Sequence, residues 1–403
     1  MKVCLINNLY KPFARGGAER VVENIVNVLK ADGYEVFVIT TKPIFKKVKN
    51  RDVKVYYFFP LNLFWIGNIE KHNILCRLFW HFFDIFNLHS YFRIKKILQE
   101  ENPDLVITHN LKGIGYLIPK AINSLGIKYF HTLHDIQLAI PSGVLIKGEE
   151  NNWKNKFFLI KLYQKINKKL FSYPKIIISP SKWLLDFYSK KGFFQKSKKI
   201  VLKNPLYKSQ IQNHKLQINS IPRFDAGQNS KFVFMYVGQI EKHKGILFLI
   251  KVFKRLSEQI KNIDFRLTII GGGSESQKIK QISKDNFKII FLGKLHHKEL
   301  NNFFVQSNCL IVPSLCYENS PTVIYESLSF GVPVLAADIG GIAELIQDNK
   351  NGYIFKAGDE NDLLQKMEFC LKNKKKIKNM GELSKESIFH YNTQNYINKI
   401  MDL

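Results

Sequence analysis

The stretch FVFMYVGQIEKHKGILFLIKVFKRL, residues 232–256, contains the unit from which the fold can be predicted. It starts with an apolar run that ends at a glycine, and it finishes with apolar residues at helical spacing. A continuously apolar strand followed by a helix is the repeating unit of a parallel sheet that is covered on both faces. Because this alternation recurs along most of the chain, we expect an α/β fold.

The apolar runs form two series, and each series alternates with helical patterns. Those of the first half are Val3–Asn7, Glu35–Thr40, Val53–Phe58, Asp104–His109, Tyr129–His134, Lys175–Ser179 and Ile200–Asn204. Those of the second half are Phe232–Gly238, Phe265–Gly271, Phe287–Gly293, Cys309–Ser314, Pro333–Ala337 and Tyr353–Phe355. Two such series predict two Rossmann-like, doubly wound parallel-sheet domains that face a cleft.

The boundary between the two series is visible in the composition. Residues 207–231 are rich in Lys, Gln, Asn and Ser and have no sustained apolar period, so we predict a linker there. Residues 1–206 then form the first domain and residues 232–384 the second. We expect a C-terminal helix, residues 385–403, to pack back on the first domain.

The charge of the chain limits the classes of partner. A net charge of +28, carried mostly by lysine, favours anionic partners: nucleotides, acidic lipid surfaces or nucleic acid. The sequence has no helix-turn-helix, zinc or RNA-binding signature, which disfavours nucleic acid.

The cysteines and the apolar segments indicate the compartment. The five cysteines are odd in number and lack metal-ligand spacing, which is typical of reduced, cytoplasmic proteins. The N-terminus reaches polar residues too soon for a signal peptide, and no apolar run is long enough to span a membrane. We therefore expect a cytoplasmic protein.

Two aromatic and basic segments, residues 62–98 and 153–171, interrupt the alternation. Both resemble amphipathic helices that lie on an anionic membrane, on the inner face of the cell membrane. The alternative is that their aromatic residues pack into the first domain while lysine stems cover the outside.

The segment ENSPTVIYE, residues 318–326, places two acids on either side of a predicted helix start. Ser320 is a good N-cap, and Pro321 suits the first helical position. Backbone N–H groups of the first turn favour an anion, so a sugar near Glu318, a diphosphate at the helix start and a ribose near Glu326 would fit. The alternative is a capped surface helix with two solvated acids.

Glycines and a lysine at strand ends suggest phosphate contacts. Gly16 and Gly17 follow the first strand and open the first helix, where unusual dihedrals and a close backbone approach are possible. Lys244 follows the strand that ends at Gly238, and an ammonium there is well placed for a phosphate. Gly272 lies in a glycine run that could line a nucleotide pocket or simply end a strand.

Two histidines also lie at strand ends. His109 and His134 end neighbouring runs of the first domain, so either could meet a substrate, although an isolated histidine is more often structural. Asp135 follows His134 directly, and adjacent strand residues point to opposite faces, so we do not expect those two to bond.

Together these motifs resemble glycosyltransferase family 4, whose members have a GT-B fold and are retaining. The most specific part is the run from Pro313 through Glu326 and on to Gly331-Val332-Pro333-Val334, with Gly340-Gly341, Glu344 and Asn349–Gly352 beyond it. The similarity extends to Gly16-Gly17, the His134 segment, Ser179-Pro180-Ser181, Asn204-Pro205 and the segment from Gly238 to Gly245, which covers nearly the whole chain.

The resemblance implies roles for individual residues. Glu326 would hold the ribose hydroxyls, Glu318 would contact the transferred sugar, and Lys244 would neutralise the diphosphate. His134 would reach the donor sugar, and Gly17, next to Gly16, would let its loop touch the diphosphate. Backbone groups would bind sugar hydroxyls and the distal phosphate at Asn319, Ser320, Pro321, Thr322 and Val323.

The chain departs from the family pattern at two positions. Gln239 stands where the family often has an arginine, so Lys242 or Lys244 would have to supply the charge. Asn319 stands where the family often has a glycine, and its side chain could add a hydrogen bond to the sugar.

The resemblance therefore predicts a retaining hexosyltransferase that uses a nucleotide diphosphate sugar. We expect a glycan or lipid-linked acceptor in surface polysaccharide synthesis, and we expect no metal and no other cofactor. Glu318 would orient and stabilise the reacting sugar rather than form a covalent bond with it. Three alternatives stay open: a nucleotide-sugar epimerase, a nucleic-acid-binding protein and a catalytically silent family member.

Overall fold

The computed structural model describes residues 1–14, 16–48, 52–152, 157–206 and 231–403. Nearly all of the predicted linker, residues 207–230, lies outside them, and so do residues 153–156 of the second aromatic segment. The chain divides into two compact units.

The first unit consists of Met1–Val144, Asn151–Pro205 and Thr393–Leu403. The second consists of Leu145–Glu150 and Leu206–Asn392. The division differs from the predicted boundaries in two places, because residues 145–150 join the second unit and residues 385–392 stay with it.

The first unit contains a parallel sheet of seven described strands in the order β3-β2-β1-β4-β5-β6-β7. Its strands are β1 (Lys2–Ile6), β2 (Glu35–Thr41), β3 (Lys54–Phe58), β4 (Leu105–Thr108), β5 (Lys128–Thr132), β6 (Ile176–Ser179) and β7 (Lys198–Val201). Its helices are α1 (Gly17–Ala31), α2 (Ile74–Ile85), α3 (Leu88–Glu101), α4 (Ile118–Asn123), α5 (Phe158–Leu170) and α6 (Lys182–Lys190).

The second unit contains a parallel sheet of six described strands in the order β10-β9-β8-β11-β12-β13. Its strands are β8 (Phe232–Val237), β9 (Phe265–Ile270), β10 (Ile289–Gly293), β11 (Cys309–Val312), β12 (Val334–Asp338) and β13 (Gly352–Lys356). Its helices are α7 (Ile246–Gln259), α8 (Ser276–Asp285), α9 (His297–Val305), α10 (Thr322–Ser329), α11 (Glu360–Lys372) and α12 (Lys374–Ile388).

The last helix, α13 (Thr393–Met401), belongs to the first unit. It packs against α1, and the amide of Gln394 donates to a carboxylate oxygen of Asp32 at 2.6 Å. The predicted returning segment therefore begins at 393 rather than at 385.

The predicted fold class is confirmed, and each predicted apolar run is a strand with bounds shifted by a few residues. The central strands are buried along their whole length because helices cover both faces of each sheet; in β1, Val3 to Ile6 have no exposed surface. In both sheets the strand order reverses at the first strand of the unit. Ligands of open α/β sheets bind beyond the carboxyl ends of the strands at such a reversal.

Candidate active site

Two loops of the second unit meet where the strand order reverses. Strands β8 and β11 are parallel neighbours, so the loops that follow them lie at the same sheet edge. The β8 loop carries Lys244 at the end of a 3-10 turn, and the β11 loop carries Glu318. The topology therefore brings together two residues that are 74 positions apart.

Gly245 lets these two loops approach each other. Its φ angle is +76°, and a Cβ atom built on it would lie 1.8 Å from the carbonyl oxygen of Pro313. The backbone N–H of Leu315 also donates to the carbonyl of His243 at 3.0 Å. Only glycine fits both the dihedral angle and the space, so Gly245 fixes where Lys244 lies.

Glu318 is bound through both of its carboxylate oxygens. Oε2 lies 2.7 Å from Nζ of Lys244, and Oε1 accepts a hydrogen bond from the hydroxyl of Ser314. Burial raises the pKa of Glu318, but the charge of Lys244 and these hydrogen bonds outweigh it, so the pKa is lowered overall. Burial likewise lowers the pKa of Lys244, and Glu318 more than restores it. Both groups are therefore charged near neutral pH.

Gly340 supports the backbone of Glu318 from the loop after β12. Its φ angle is +63°, and a Cβ atom there would lie 2.3 Å from the carbonyl oxygen of Glu318. The next residue, Gly341, donates its N–H to that same oxygen at 2.8 Å. Gly340 and Gly341 were part of the motif that resembles the family, but their contact with the backbone of Glu318 was not predicted.

The helix start at α10 differs from the prediction by one residue. The helix begins at Thr322, and Pro321 occupies the N-cap position with extended dihedrals. Ser320 was predicted as the cap, but its hydroxyl bonds to the phenol of Tyr325 at 2.7 Å. The first-turn N–H groups of Thr322 and Val323 have no acceptor further back in the helix, so this end still favours an anion.

The acids of this segment are not solvated, which excludes the simple surface helix. Glu326 lies in a fully buried stretch of α10, and Asn319 is buried in the preceding loop. Glu318 exposes only 18% of its side chain. A buried carboxylate needs hydrogen-bonding or charged partners, and Lys244 and Ser314 provide them for Glu318.

The other predicted donor-binding residues of this unit follow β8 and β9. Gly238 is half-buried. The backbone of Gly271 lies so close to it that a Cβ atom built on Gly271 would be 1.8 Å from the carbonyl oxygen of Gly238, so a side chain does not fit there. Gly272 accepts the N–H of Ile240 at 3.0 Å, which joins the two loops. Gln239 is exposed, and its carbonyl accepts the phenol of Tyr236 at 2.6 Å.

Residues 145–150 add a support that sequence reasoning missed. Ile146 forms an antiparallel bridge with Cys316, and Lys147 donates its N–H to Leu315 at 2.9 Å. The phenol of Tyr317 donates to Glu150 at 2.7 Å. A segment from the first half of the chain thus holds the residues just before Glu318, and its sequence carries no signal for this pairing.

In the first unit, Gly16 and Gly17 lie at the start of α1, as predicted, but Gly16 does not use the freedom of glycine. Its φ angle of −142° is open to any residue. Its N–H donates to the carboxylate of Glu19 at 2.8 Å, and a Cβ atom would lie 3.3 Å from that carboxylate. This capping contact was not predicted, and the assignment of Gly16 and Gly17 to the diphosphate stays a prediction.

The two predicted histidines of the first unit bond to each other. Nδ1 of His109 lies 2.9 Å from Nε2 of His134, although the residues follow different strands. Asp135 instead accepts the N–H of Gln137 at 2.8 Å, so the expectation for the His134–Asp135 pair is met. Both histidines line a small pocket, partly open to solvent, with Lys112, His131 and Asp135.

The described part of the chain offers neither a metal cluster nor a membrane-spanning helix. It contains no group of three or more His, Cys, Asp or Glu side chains placed to hold a metal ion. Within the described ranges no helix is both long and apolar enough to cross a bilayer.

Comparison with known proteins identifies the class. Among solved structures, the fold matches HepE from Anabaena in complex with UDP, with a TM-score of 0.69, 16% identity and 100% of both chains covered. It also matches the apo form of the lipopolysaccharide outer core galactosyltransferase WaaB, with a TM-score of 0.66, 17% identity, and 100% of this chain and 99% of that one. These likenesses establish the GT-B fold.

The sequence families agree with the fold. Residues 15–206 match the model "Glycosyltransferase Family 4", and residues 218–387 match "Glycosyl transferases group 1". An uncharacterized 42.6 kDa protein in the cps region of Klebsiella pneumoniae is 25% identical over 362 residues, 88% of this chain and 90% of that protein. The chain belongs to the GT-B glycosyltransferases of family 4, and the predicted resemblance is confirmed.

Proposed function

We propose that this glycosyltransferase moves a hexose-type sugar, with retention, from a nucleotide diphosphate sugar to a glycan or lipid-linked acceptor in cell-surface polysaccharide synthesis. The observation that carries the proposal is the Lys244–Glu318 pair at the strand-order reversal of the second unit. A cation and an acid held together beyond parallel strands suit a substrate that has a diphosphate on one side and a sugar on the other.

The donor's diphosphate is assigned to Lys244 and to the N–H groups of Thr322 and Val323. Loss of the nucleoside diphosphate leaves negative charge, which a partly buried ammonium and a helix start stabilise. Gly238 and Gly272 leave room for the nucleotide, and Glu326 is assigned to the ribose. The UDP complex of HepE makes uridine nucleotides the first donors to test.

The resemblance implies retention, and the contacts of Glu318 bear on how retention would be achieved. Both of its oxygens are engaged, by Lys244 and by Ser314, which disfavours a covalent carboxylate nucleophile. We assign same-face attack, with Glu318 as an electrostatic stabiliser of the positive charge that develops on the sugar. Product analysis by NMR tests this assignment: the new linkage should have the anomeric configuration of the donor, and the opposite configuration would contradict it.

Metal independence is part of the proposal, because Lys244 and the α10 start can supply the positive charge that a divalent ion supplies elsewhere. Transfer should therefore survive an excess of chelator. A loss of activity that Mg²⁺ or Mn²⁺ restores would overturn this assignment.

Glu326 provides the sharpest test of the donor site. A ligand at 100 times its Kd stabilises a protein by about 2.7 kcal/mol, which a thermal-shift panel of uridine, guanosine and adenosine nucleotides detects. Glu326→Gln should lose most of the shift given by the best nucleotide and keep the shift given by inorganic diphosphate, which has no ribose. Equal shifts in the variant and the parent would remove the ribose assignment.

The epimerase and silent-member alternatives are separated by turnover. A nucleotide-sugar epimerase would change the donor without any acceptor, whereas the proposed enzyme transfers sugar only when an acceptor is present. A silent member would show nucleotide binding that depends on Lys244 but no transfer. Gln239 is the feature that favours a silent member, because its neutral side chain cannot provide the positive charge of the arginine that the family often has at this position.

The acceptor is proposed to lie at an anionic membrane, on the cytoplasmic face. Helix α2 turns an apolar side outward: Leu75, Leu78, Phe79 and Phe82 are 54–64% exposed, while Trp80 is buried. These positions recur at helical spacing and so form one face. The next helix exposes Arg93 and Lys96, which complement anionic headgroups. Trp80 therefore packs into the first unit, as the alternative interpretation of this segment expected, whereas the apolar side chains on the exposed face of α2 do not.

Vesicle sedimentation tests the membrane contact. The protein should pellet with phosphatidylglycerol-containing vesicles at low salt, and the double variant Phe79→Ser, Phe82→Ser should bind at least about tenfold more weakly because apolar burial is lost. The matched control is Phe287→Ser, Phe389→Ser, since both residues are exposed phenylalanines of the other unit. Equal vesicle binding by all three proteins, or self-association through α2 without lipid, would contradict the proposal.

A further inference from the structure

The contact between His109 and His134 restricts where their protons lie. Their rings are tilted, with centroids 5.2 Å apart, and Nδ1 of His109 and Nε2 of His134 are 2.9 Å apart. A neutral pair at this distance shares one proton. Either His109 donates from Nδ1, or His134 donates from Nε2.

Burial keeps both rings neutral. It lowers the pKa of His134 to about 4 and that of His109 well below its ordinary value, with the neighbouring His134 and His131 adding to the effect on His109. Near pH 7 each imidazole therefore carries a single proton, and the choice between the two arrangements is a choice of tautomer.

The second nitrogen of His109 separates the two arrangements. His109 has no exposed surface, and its Nε2 has no hydrogen-bond partner among the described residues. If His134 donated, the proton of His109 would lie on Nε2 and leave a buried N–H without an acceptor. If His109 donates, Nε2 is a bare acceptor, and buried unpaired N–H groups are the rarer and costlier defect.

We infer that His109 is a positioning residue that holds His134 in the tautomer protonated at Nδ1. The donated hydrogen bond from His109 occupies Nε2 of His134, so the ring's own N–H lies on Nδ1 and can donate to an oxygen but not accept from a hydroxyl. The inference rests on the proposed function in one respect: it takes a hydroxyl oxygen of the donor sugar as the group that His134 contacts, the role that the family resemblance implies for His134.

Nitrogen NMR of the full chain tests the tautomer directly. In protein labelled with ¹⁵N at histidine, the signals of His134 are those that disappear in His134→Asn. At pH 7 its Nε2 should resonate as an unprotonated nitrogen and its Nδ1 as a protonated one. A protonated Nε2 in the unmodified protein overturns the inference, whatever the activity is.

Variants of His109 give the second readout. Asparagine can place an N–H close to Nδ1 of histidine, so His109→Asn should keep the tautomer of His134, whereas His109→Phe should shift its proton towards Nε2. His109→Phe should also lower kcat by about tenfold, the equivalent of one hydrogen bond, while His109→Asn stays near the parent. An unchanged His134 spectrum in His109→Phe would contradict the inference.

A neighbouring histidine serves as the control. His131 is buried in the same cavity wall and bonds to Thr108 at 2.7 Å rather than to His134, so His131→Asn should leave the His134 signals in place. If the spectra behave as expected but no nucleotide sugar is used by any form of the protein, the proposed function fails and the tautomer assignment stands.

Discussion

Nζ of Lys244 lies 2.7 Å from Oε2 of Glu318, so the lysine assigned to the diphosphate already has an anionic partner. A bound diphosphate must share this ammonium with the carboxylate or displace the carboxylate from it. The two residues should therefore have opposite effects on nucleotide affinity, although both should be needed for sugar transfer.

Substitutions that remove the charge of Lys244 or of Glu318 should have different effects on nucleotide affinity. Lys244→Met should lose most affinity for the nucleoside diphosphate, because the ammonium is removed and a buried carboxylate remains. Glu318→Gln should bind it at least as tightly as the parent, since Lys244 is released, yet should transfer sugar about 100-fold more slowly because stabilisation in the transition state is lost. Titration calorimetry and initial rates measure the two effects.

A nearby lysine controls for this experiment. Lys242 is in the same turn but 78% exposed, so Lys242→Met should change nucleotide binding little. The double variant Lys244→Met, Glu318→Gln should regain the thermal stability that Lys244→Met loses, because no unpaired charge is left buried. Equal loss of nucleotide affinity in Glu318→Gln and Lys244→Met would show that the acid, too, serves the nucleotide.

The second prediction concerns Gly340. In Gly340→Ala the new Cβ atom would lie 2.3 Å from the carbonyl oxygen of Glu318, so the acid must move. A displacement of about 1 Å at a reacting group can cost about 100-fold, and kcat should fall by that order. Steady-state kinetics with the best donor measure the fall.

Gly358→Ala is the matched control for Gly340→Ala. Gly358 also has a positive φ angle, +77°, but the nearest atom to its built Cβ is 3.8 Å away. Both variants carry a backbone strain of about 1 kcal/mol, and only Gly340→Ala meets Glu318. Similar kinetics in the two variants would mean that strain, and not the position of Glu318, controls turnover.

The strands were predictable from the sequence because their signal is local. An apolar run such as Phe232–Val237 predicts a buried strand from its own residues, and its alternation with helices predicts the parallel sheet. The strand-end positions of Lys244 and Glu318 follow from that topology, which is why the sequence placed them at one sheet edge.

The missed features depend on side-chain choices between distant residues. His109 and His134 each looked like isolated strand-end histidines, and nothing local indicates that their rings bond. Ser320 had a suitable cap sequence, but its hydroxyl has a competing partner in Tyr325. Ile146 forms a bridge with Cys316 because residues 145–150 belong to the second unit, whereas the residues on either side of them belong to the first. Hydrophobic periodicity carries no signal for such a pairing between distant segments.

The third prediction concerns the buried acid Asp84 of helix α2. Burial raises its pKa to about 7, against the lowering effects of the Gly113 N–H, which donates to it at 2.8 Å, and of Lys112. Its ordinary value is 3.8. Between these two pH values the folded chain keeps a proton that the unfolded chain releases, so the free energy of unfolding falls as the pH rises through this range.

Asp84→Asn removes this pH dependence while keeping an oxygen that can accept from Gly113. Its stability relative to the parent should rise by about 3 kcal/mol between pH 5 and pH 8, measured by urea unfolding, since each of the two pH units below the folded-state pKa contributes about 1.4 kcal/mol. A difference between Asp84→Asn and the parent that stays constant from pH 5 to pH 8 would show that Asp84 ionises in the folded protein as readily as it does in the unfolded chain.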